Sequence, residues 1–184
     1  MRVYDREFEL FIAEEAIQSK VKALSHQIDQ DYAQEPPLLV AVLNGAFVFA
    51  ADLIRNMNVP AEITFIKVKS YHQLQSSGQH KEYIGLEVPI QGRHIIIVED
   101  IVDSGNTIHY LTQQFARQHP QSIAIATLLF KPAAVARDID LTYVGFEIPN
   151  DFVVGYGLDY DGYGRNLRSI YTLSNTSETE GKST

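Results

Sequence analysis

The chain predicts an α/β fold in which a central parallel sheet is flanked by helices, and three observations carry that prediction. Short apolar runs such as Leu38–Leu43 and Ile95–Val98 are uninterrupted rather than alternating, as strands buried on both faces are. Amphipathic segments with helical spacing separate those runs, the pattern of parallel strands joined by crossover helices. Small and polar residues cluster where runs end, as at Asn44-Gly45-Ala46 and Asp103–Thr107, and ligands of such sheets bind beyond the carboxyl ends of the strands.

In order along the chain, Phe11–Tyr32 carries Ile17, Val21, Leu24 and Ile28 on one helical face. Pro36-Pro37 ends that region, and Leu38–Leu43 is a strand that turns through Asn44-Gly45-Ala46 into a helix over Phe47–Met57. After Pro60, Ala61–Lys69 alternates as a strand does. Tyr71–Tyr83 is polar, centres on Ser76-Ser77-Gly78, and reads as a mobile loop. The strand beginning at His94 follows Gln91-Gly92, a helix spans Ile108–Arg117, and further strands are expected at Ser122–Phe130, Tyr143–Ile148 and Phe152–Tyr156. Residues 1–174 read as one domain, and 175–184, polar and charged without apolar content, as a disordered tail.

Bulk properties exclude several classes of function. The 184 residues include no cysteine, which removes disulfides, thiolate catalysis and Cys-based zinc sites. A net charge of −8 argues against nucleic acid as a partner, because such ligands select a basic surface. No segment approaches the length of a membrane span, and MRVYDREFEL lacks the apolar stretch of a secretory signal, so a cytoplasmic enzyme is expected.

The richest stretch is HIIIVEDIVDSGNT, His94–Thr107. A buried strand ends in two adjacent acids, Glu99 and Asp100, and a third acid, Asp103, opens a Ser-Gly-Asn-Thr turn into a helix. Backbone N–H groups at such a helix start favour an anion. Acids beside an anion site need a bridge, which ribose hydroxyls and Mg²⁺ supply, so the stretch reads as a pocket for a phosphorylated sugar. Neither the P-loop spacing nor a G-x-G-x-x-G turn is present.

This stretch resembles the 5-phosphoribosyl-1-diphosphate (PRPP) signature of the type I phosphoribosyltransferases, in the version found in hypoxanthine-guanine phosphoribosyltransferases. The resemblance runs from about Glu14 to Leu173 and includes VLNGAFVFAADL, the Ser70-Tyr71 pair, FKPAAV and VGFEIPNDFVVGYGLDYDGYGRNL. It implies the type I fold with a small hood subdomain built from N- and C-terminal segments. It also implies transfer of 5-phosphoribosyl from PRPP to N9 of hypoxanthine and guanine, with Mg²⁺ as cofactor and a homodimer or homotetramer as the assembly.

Residue by residue, the resemblance makes Asp103 the group that handles the purine N7 proton. Ser104, Gly105, Asn106 and Thr107 would hold the 5′-phosphate. Glu99 and Asp100 would serve the ribose hydroxyls and the metal, joined by Asp159 as a metal ligand, with Arg165 facing pyrophosphate. Asn44 and Gly45 would form the pyrophosphate loop, in which many relatives carry lysine at the Asn44 position and a cis peptide before it. Lys131 would bond the purine 6-oxo group, which an ammonium, having donors only, can do while leaving the 6-amino group of adenine unsatisfied. Phe152 would stack on the base, Val153 would meet its edge through the backbone, and Ser70 and Tyr71 would open a loop that closes over the reaction. Without the resemblance, Lys131 reads as a surface lysine and Phe152 and Val153 as strand core. An alternative on the same fold is an RNA-binding regulator that keeps the site as a nucleotide sensor. A basic face is its requirement, and the fifteen Lys and Arg residues are dispersed.

Overall fold

The computed structural model describes residues 1–71 and 80–174. In chain order the elements are β1 (Arg2–Val3), β2 (Arg6–Ile12), α1 (Glu14–Asp31), β3 (Leu38–Leu43), α2 (Phe47–Asn56), β4 (Glu62–Tyr71), β5 (His80–Ile84), β6 (His94–Val102), α3 (Asn106–Ala116), β7 (Ser122–Phe130), β8 (Tyr143–Glu147), β9 (Val153–Val154) and β10 (Ile170–Leu173). They form a six-stranded sheet of order β5-β4-β3-β6-β7-β8 and a four-stranded sheet of order β1-β2-β10-β9.

The large sheet is parallel except at its edge, where β5 pairs antiparallel with β4. Its central strands are buried on both faces, as their unbroken apolar runs predict. Leu39, Ala41, Ile96 and Val98 face one core with α1 and α2, while Leu38, Val40, Ile95 and Ile97 face the other with Ile108, Leu111 and Phe115 of α3. Alternation along each strand therefore divides its residues between two cores instead of between core and solvent.

Three expectations are corrected. The first helix starts at Glu14 rather than Phe11: Phe11 and Ile12 end β2, and Glu14 and Glu15 occupy the helix's first turn, where its dipole favours acids. The polar stretch expected as a loop from Tyr71 to Tyr83 has strand at both ends, β4 running through Tyr71 and β5 starting at His80; residues 72–79 lie outside the described residues. The last predicted strand, Phe152–Tyr156, shrinks to Val153–Val154. Gly155, Tyr156 and Gly157 all have positive φ, of 108°, 50° and 102°, which no strand accommodates.

The small sheet is the expected hood, and both halves of the chain build it. β10 lies between β2 and β9, pairing antiparallel with each. Its own core is Val3, Phe8 and Val154, with Tyr160, Leu167 and Tyr171 packed against them.

β3 and β6 are neighbours from which the chain winds outward in opposite directions, to β4 on one side and to β7 and β8 on the other. Their pairing stops at Ala41 opposite Val98. Beyond that point each strand keeps only its outer neighbour, Val42 and Leu43 on Ile66 and Lys67, Glu99 and Ile101 on Thr127 and Leu129. The crevice at the carboxyl ends is the place where ligands of open α/β sheets bind.

Candidate active site

Two loops enter that crevice. After β3, the peptide bond between Leu43 and Asn44 is cis, and Gly45 passes so close to β6 that a Cβ there would lie 1.5 Å from Asp100 Oδ2. Only glycine fits. From the other side Gly157 rests on the same loop, since a Cβ on it would lie 2.2 Å from the Gly45 carbonyl oxygen. Asp100, Gly45 and Gly157 thus join three distant segments at one point.

The second loop follows β6. Gly105, with φ of 77°, precedes α3 in the left-handed conformation, and residues 99–108 line a cavity of about 230 Å³. The cavity opens on the first turn of an eleven-residue helix, whose free N–H groups suit a phosphate. The Ser104 hydroxyl accepts a bond from the Asn106 side-chain amide at 3.0 Å. A segment that sequence reasoning overlooked buttresses this loop. Ala136 N–H donates to the Ser104 carbonyl at 3.2 Å, Arg137 Nε donates to Asn106 Oδ1 at 3.0 Å, and Ile139 abuts Gly105.

Glu99 is buried and Asp100 partly so. Successive residues of a fully paired strand direct their side chains apart, yet these two carboxyl groups lie close enough to influence each other's ionisation. They meet past Val98, where β3 has left the edge of β6. Burial pushes the Asp100 carboxyl up from its ordinary value, opposed by Glu99, the Ile101 N–H at 2.9 Å and the Arg165 guanidinium.

Lys131 begins just after β7 and donates its N–H to the Val102 carbonyl at 2.9 Å. Far from being a surface residue, it is only 7 % exposed, and its Nζ lies 3.6 Å from Asp103 Oδ2. Asp103 itself is exposed. A buried ammonium beside an open carboxylate can donate to a ligand while the carboxylate accepts a proton.

Arg165 and Asp159 form an ion pair at 2.6 Å. Arg165 also donates to the Gly157 carbonyl at 2.7 Å, and the second Asp159 oxygen accepts the Gly162 N–H at 2.7 Å. This loop is fastened to α2 by a bond the sequence did not suggest: Tyr156 donates its hydroxyl to Asp52 Oδ2 at 2.7 Å, beside the Gln18 amide at 2.9 Å. In the hood, Phe152 is exposed, Val153 is buried, and the Phe152 carbonyl accepts the Leu173 N–H at 3.2 Å. Asn44 is exposed, and Ser70 and Tyr71 close β4.

The candidate metal donors Glu99, Asp100 and Asp159 are all carboxylates. Among the described residues no three His, Cys, Asp or Glu side chains form a preformed cage. Few, hard oxygen donors suit Mg²⁺, which is commonly held by one or two carboxylates together with substrate oxygens.

A crevice at the switch point, a helix-start anion cradle and a carboxylate–ammonium pair define a transferase site for an anionic sugar. The phosphoribosyl transferase domain model matches residues 12–161, and the chain belongs to that family. Its place is in the hypoxanthine-guanine branch. It is 45 % identical over 165 residues to the Bacillus subtilis hypoxanthine-guanine phosphoribosyltransferase, covering 89 % of this chain and 92 % of that protein. The crystal structure of a hypoxanthine-guanine phosphoribosyltransferase from Bacillus anthracis superposes with a TM-score of 0.83 at 40 % identity, covering 92 % of this chain and all of the other. That of the Trypanosoma cruzi hypoxanthine phosphoribosyltransferase with the product IMP gives 0.83 at 37 % identity, covering 95 % and 98 %. No helix among the described residues is long and apolar enough to cross a membrane.

Proposed function

We propose that this chain is a purine-salvage enzyme that transfers 5-phosphoribosyl from PRPP to N9 of hypoxanthine and guanine, releasing pyrophosphate. The observation that carries this reading is the buried Lys131 ammonium 3.6 Å from Asp103, beside the cradle at the start of α3. Ser104–Thr107 hold the 5′-phosphate through the N–H groups and hydroxyls of that turn. Lys131 donates to the purine 6-oxo oxygen, and Phe152 supports the ring, with backbone groups of Val153 at its edge. N9 then attacks the anomeric carbon as the bond from that carbon to the pyrophosphate oxygen breaks, and Asp103 accepts the proton that the purine loses from N7.

Asn44 and Gly45 offer backbone groups to the pyrophosphate, with Arg165 as the cation facing it. Glu99, Asp100 and Asp159 would hold Mg²⁺. When bound, the ion neutralises charge on the departing pyrophosphate. Closure by the loop that Ser70 and Tyr71 open would keep water from the ribosyl cation. The same reading includes a homodimer or homotetramer in the cytoplasm; light scattering reports the assembly directly.

The test is nucleotide formation from PRPP and Mg²⁺ with hypoxanthine, guanine, xanthine and adenine offered separately, alongside Asp103→Asn. Turnover of the first two bases, no use of adenine, and a kcat reduced by about 10²–10⁴ in the variant are expected. Binding of PRPP without turnover of any base would overturn the enzyme assignment.

A further inference from the structure

Phe152 is 48 % exposed, as a ring that receives a ligand must be, yet it is held on its inner side. Tyr160 meets it edge-to-face, with centroids 5.7 Å apart and planes at 82°. Phe8 lies 6.3 Å from Phe152 and 5.9 Å from Tyr160, so the three rings close a triangle. Each corner comes from a different part of the chain: Phe8 from β2, Phe152 from the residue before β9, and Tyr160 from the turn after Asp159.

Tyr160 is anchored through the turn it stands in. Its backbone exchanges two 2.9 Å hydrogen bonds with Tyr163. Tyr4 lies 6.3 Å from it and stacks on Tyr163 at 5.2 Å with planes 4° apart. Phe8 and Tyr4 both belong to the N-terminal hairpin.

We propose that Tyr160 is a positioning residue for purine recognition, its edge-to-face contact fixing the plane of Phe152 on which the oxopurine lies. The inference rests on the assignment of Phe152 as the base-stacking residue. An exposed ring that must first be ordered by its ligand gives up part of the stacking energy to that ordering, whereas a ring ordered in advance does not. The geometry is also specific: tilted aromatic pairs hold a defined orientation that aliphatic packing does not impose. Because Tyr160 adjoins Asp159, the turn that steadies the base platform also carries the carboxylate of the pyrophosphate side. The N-terminal hairpin thereby becomes part of substrate selection.

The experiment measures KM for hypoxanthine, KM for PRPP, kcat and melting temperature in Tyr160→Ala, Tyr160→Phe and Phe152→Ala. For Tyr160→Ala, a rise in hypoxanthine KM of about three- to tenfold is expected, the range an aromatic pair supplies, with PRPP KM moving less than half as much. Tyr160→Phe, which keeps the ring, should restore hypoxanthine KM. If Phe152→Ala raises hypoxanthine KM but Tyr160→Ala does not, or if Tyr160→Ala raises both KM values equally, the positioning role is wrong. If Phe152→Ala itself leaves hypoxanthine KM unchanged, the base-stacking assignment fails first and takes the inference with it. Should Tyr160→Ala not fold, Phe8→Leu removes another corner of the triangle and is judged by the same comparison.

Discussion

At the scale of single residues, the site depends on close approach and on burial. Gly45 is the sharpest case, because a methyl group there would overlap the Asp100 carboxylate at 1.5 Å. Gly45→Ala must displace either that carboxylate or the loop at Asn44-Gly45 by about an ångström, and misplacement on that scale costs about 100-fold in kcat/KM. Steady-state kinetics with PRPP varied should show that loss while the melting temperature moves by only a few degrees. Lys131 supplies a second prediction. Lys131→Met removes the proposed donor to the 6-oxo group, and kcat/KM for hypoxanthine should fall about 10- to 100-fold, with no gain for guanine. Equal activity toward hypoxanthine in wild type and variant would show that another group reads the base. Of these two residues only Gly45 stood in a turn that the sequence itself marks. Lys131 owes its burial to β6, whose Val102 carbonyl captures its N–H, and no local pattern announces that.

At the scale of elements, legibility follows sequence distance. The strand–turn–helix unit from His94 to Ala116 is local, and its apolar run, acids and glycine turn spell it out in order. β1 and β2 are not spelled out. REFELFI buries only Phe8 fully, so neither a strand nor a helix period is evident, and its partner β10 is more than a hundred residues away. The buttress of Ala136, Arg137 and Ile139 under the phosphate loop, and the Tyr156–Asp52 bond, were invisible for the same reason. Helix α1 offers a test of such distant ties. Burial, the largest single influence, raises the Asp29 pKa, but the N–H groups of Val59 and Asn58 and the Asn58 amide together overcome it and hold the carboxyl below its usual range. A depressed carboxyl stabilises the fold above its unfolded pKa of about 3.9, and that contribution disappears as pH falls through the lower folded value. Asp29→Ala should therefore destabilise the fold at pH 7 by about 0.5–1 kcal/mol, solvent screening of this carboxylate included. Denaturation at stepped pH should show the gap between wild type and variant closing only below about pH 4. A gap that persisted undiminished in strong acid would mean that packing rather than charge is responsible.

At the scale of the whole molecule, the charge of −8 and the parallel sheet were both plain from composition and pattern, whereas the antiparallel edge at β5 and the shape of the hood required coordinates. The acidic surface makes a further prediction: electrophoresis with RNA should show no complex whose strength declines steeply with salt, as a basic binding face would give. Such a complex would return the regulator alternative to consideration. The strand order of the small sheet has a consequence for how the protein is made. β2 (Arg6–Ile12) is synthesised long before β10 (Ile170–Leu173), the strand that completes its pairing. While the ribosome is still working, β2 carries an open edge, the kind of surface on which growing chains adhere to one another. Between β2 and β10 in sequence lie β6, the turn at Gly105 and α3, all of which leave the ribosome before β10. The turn that opens α3 therefore precedes the closed hood in the order of synthesis, and a chain interrupted between them would carry the first without the second.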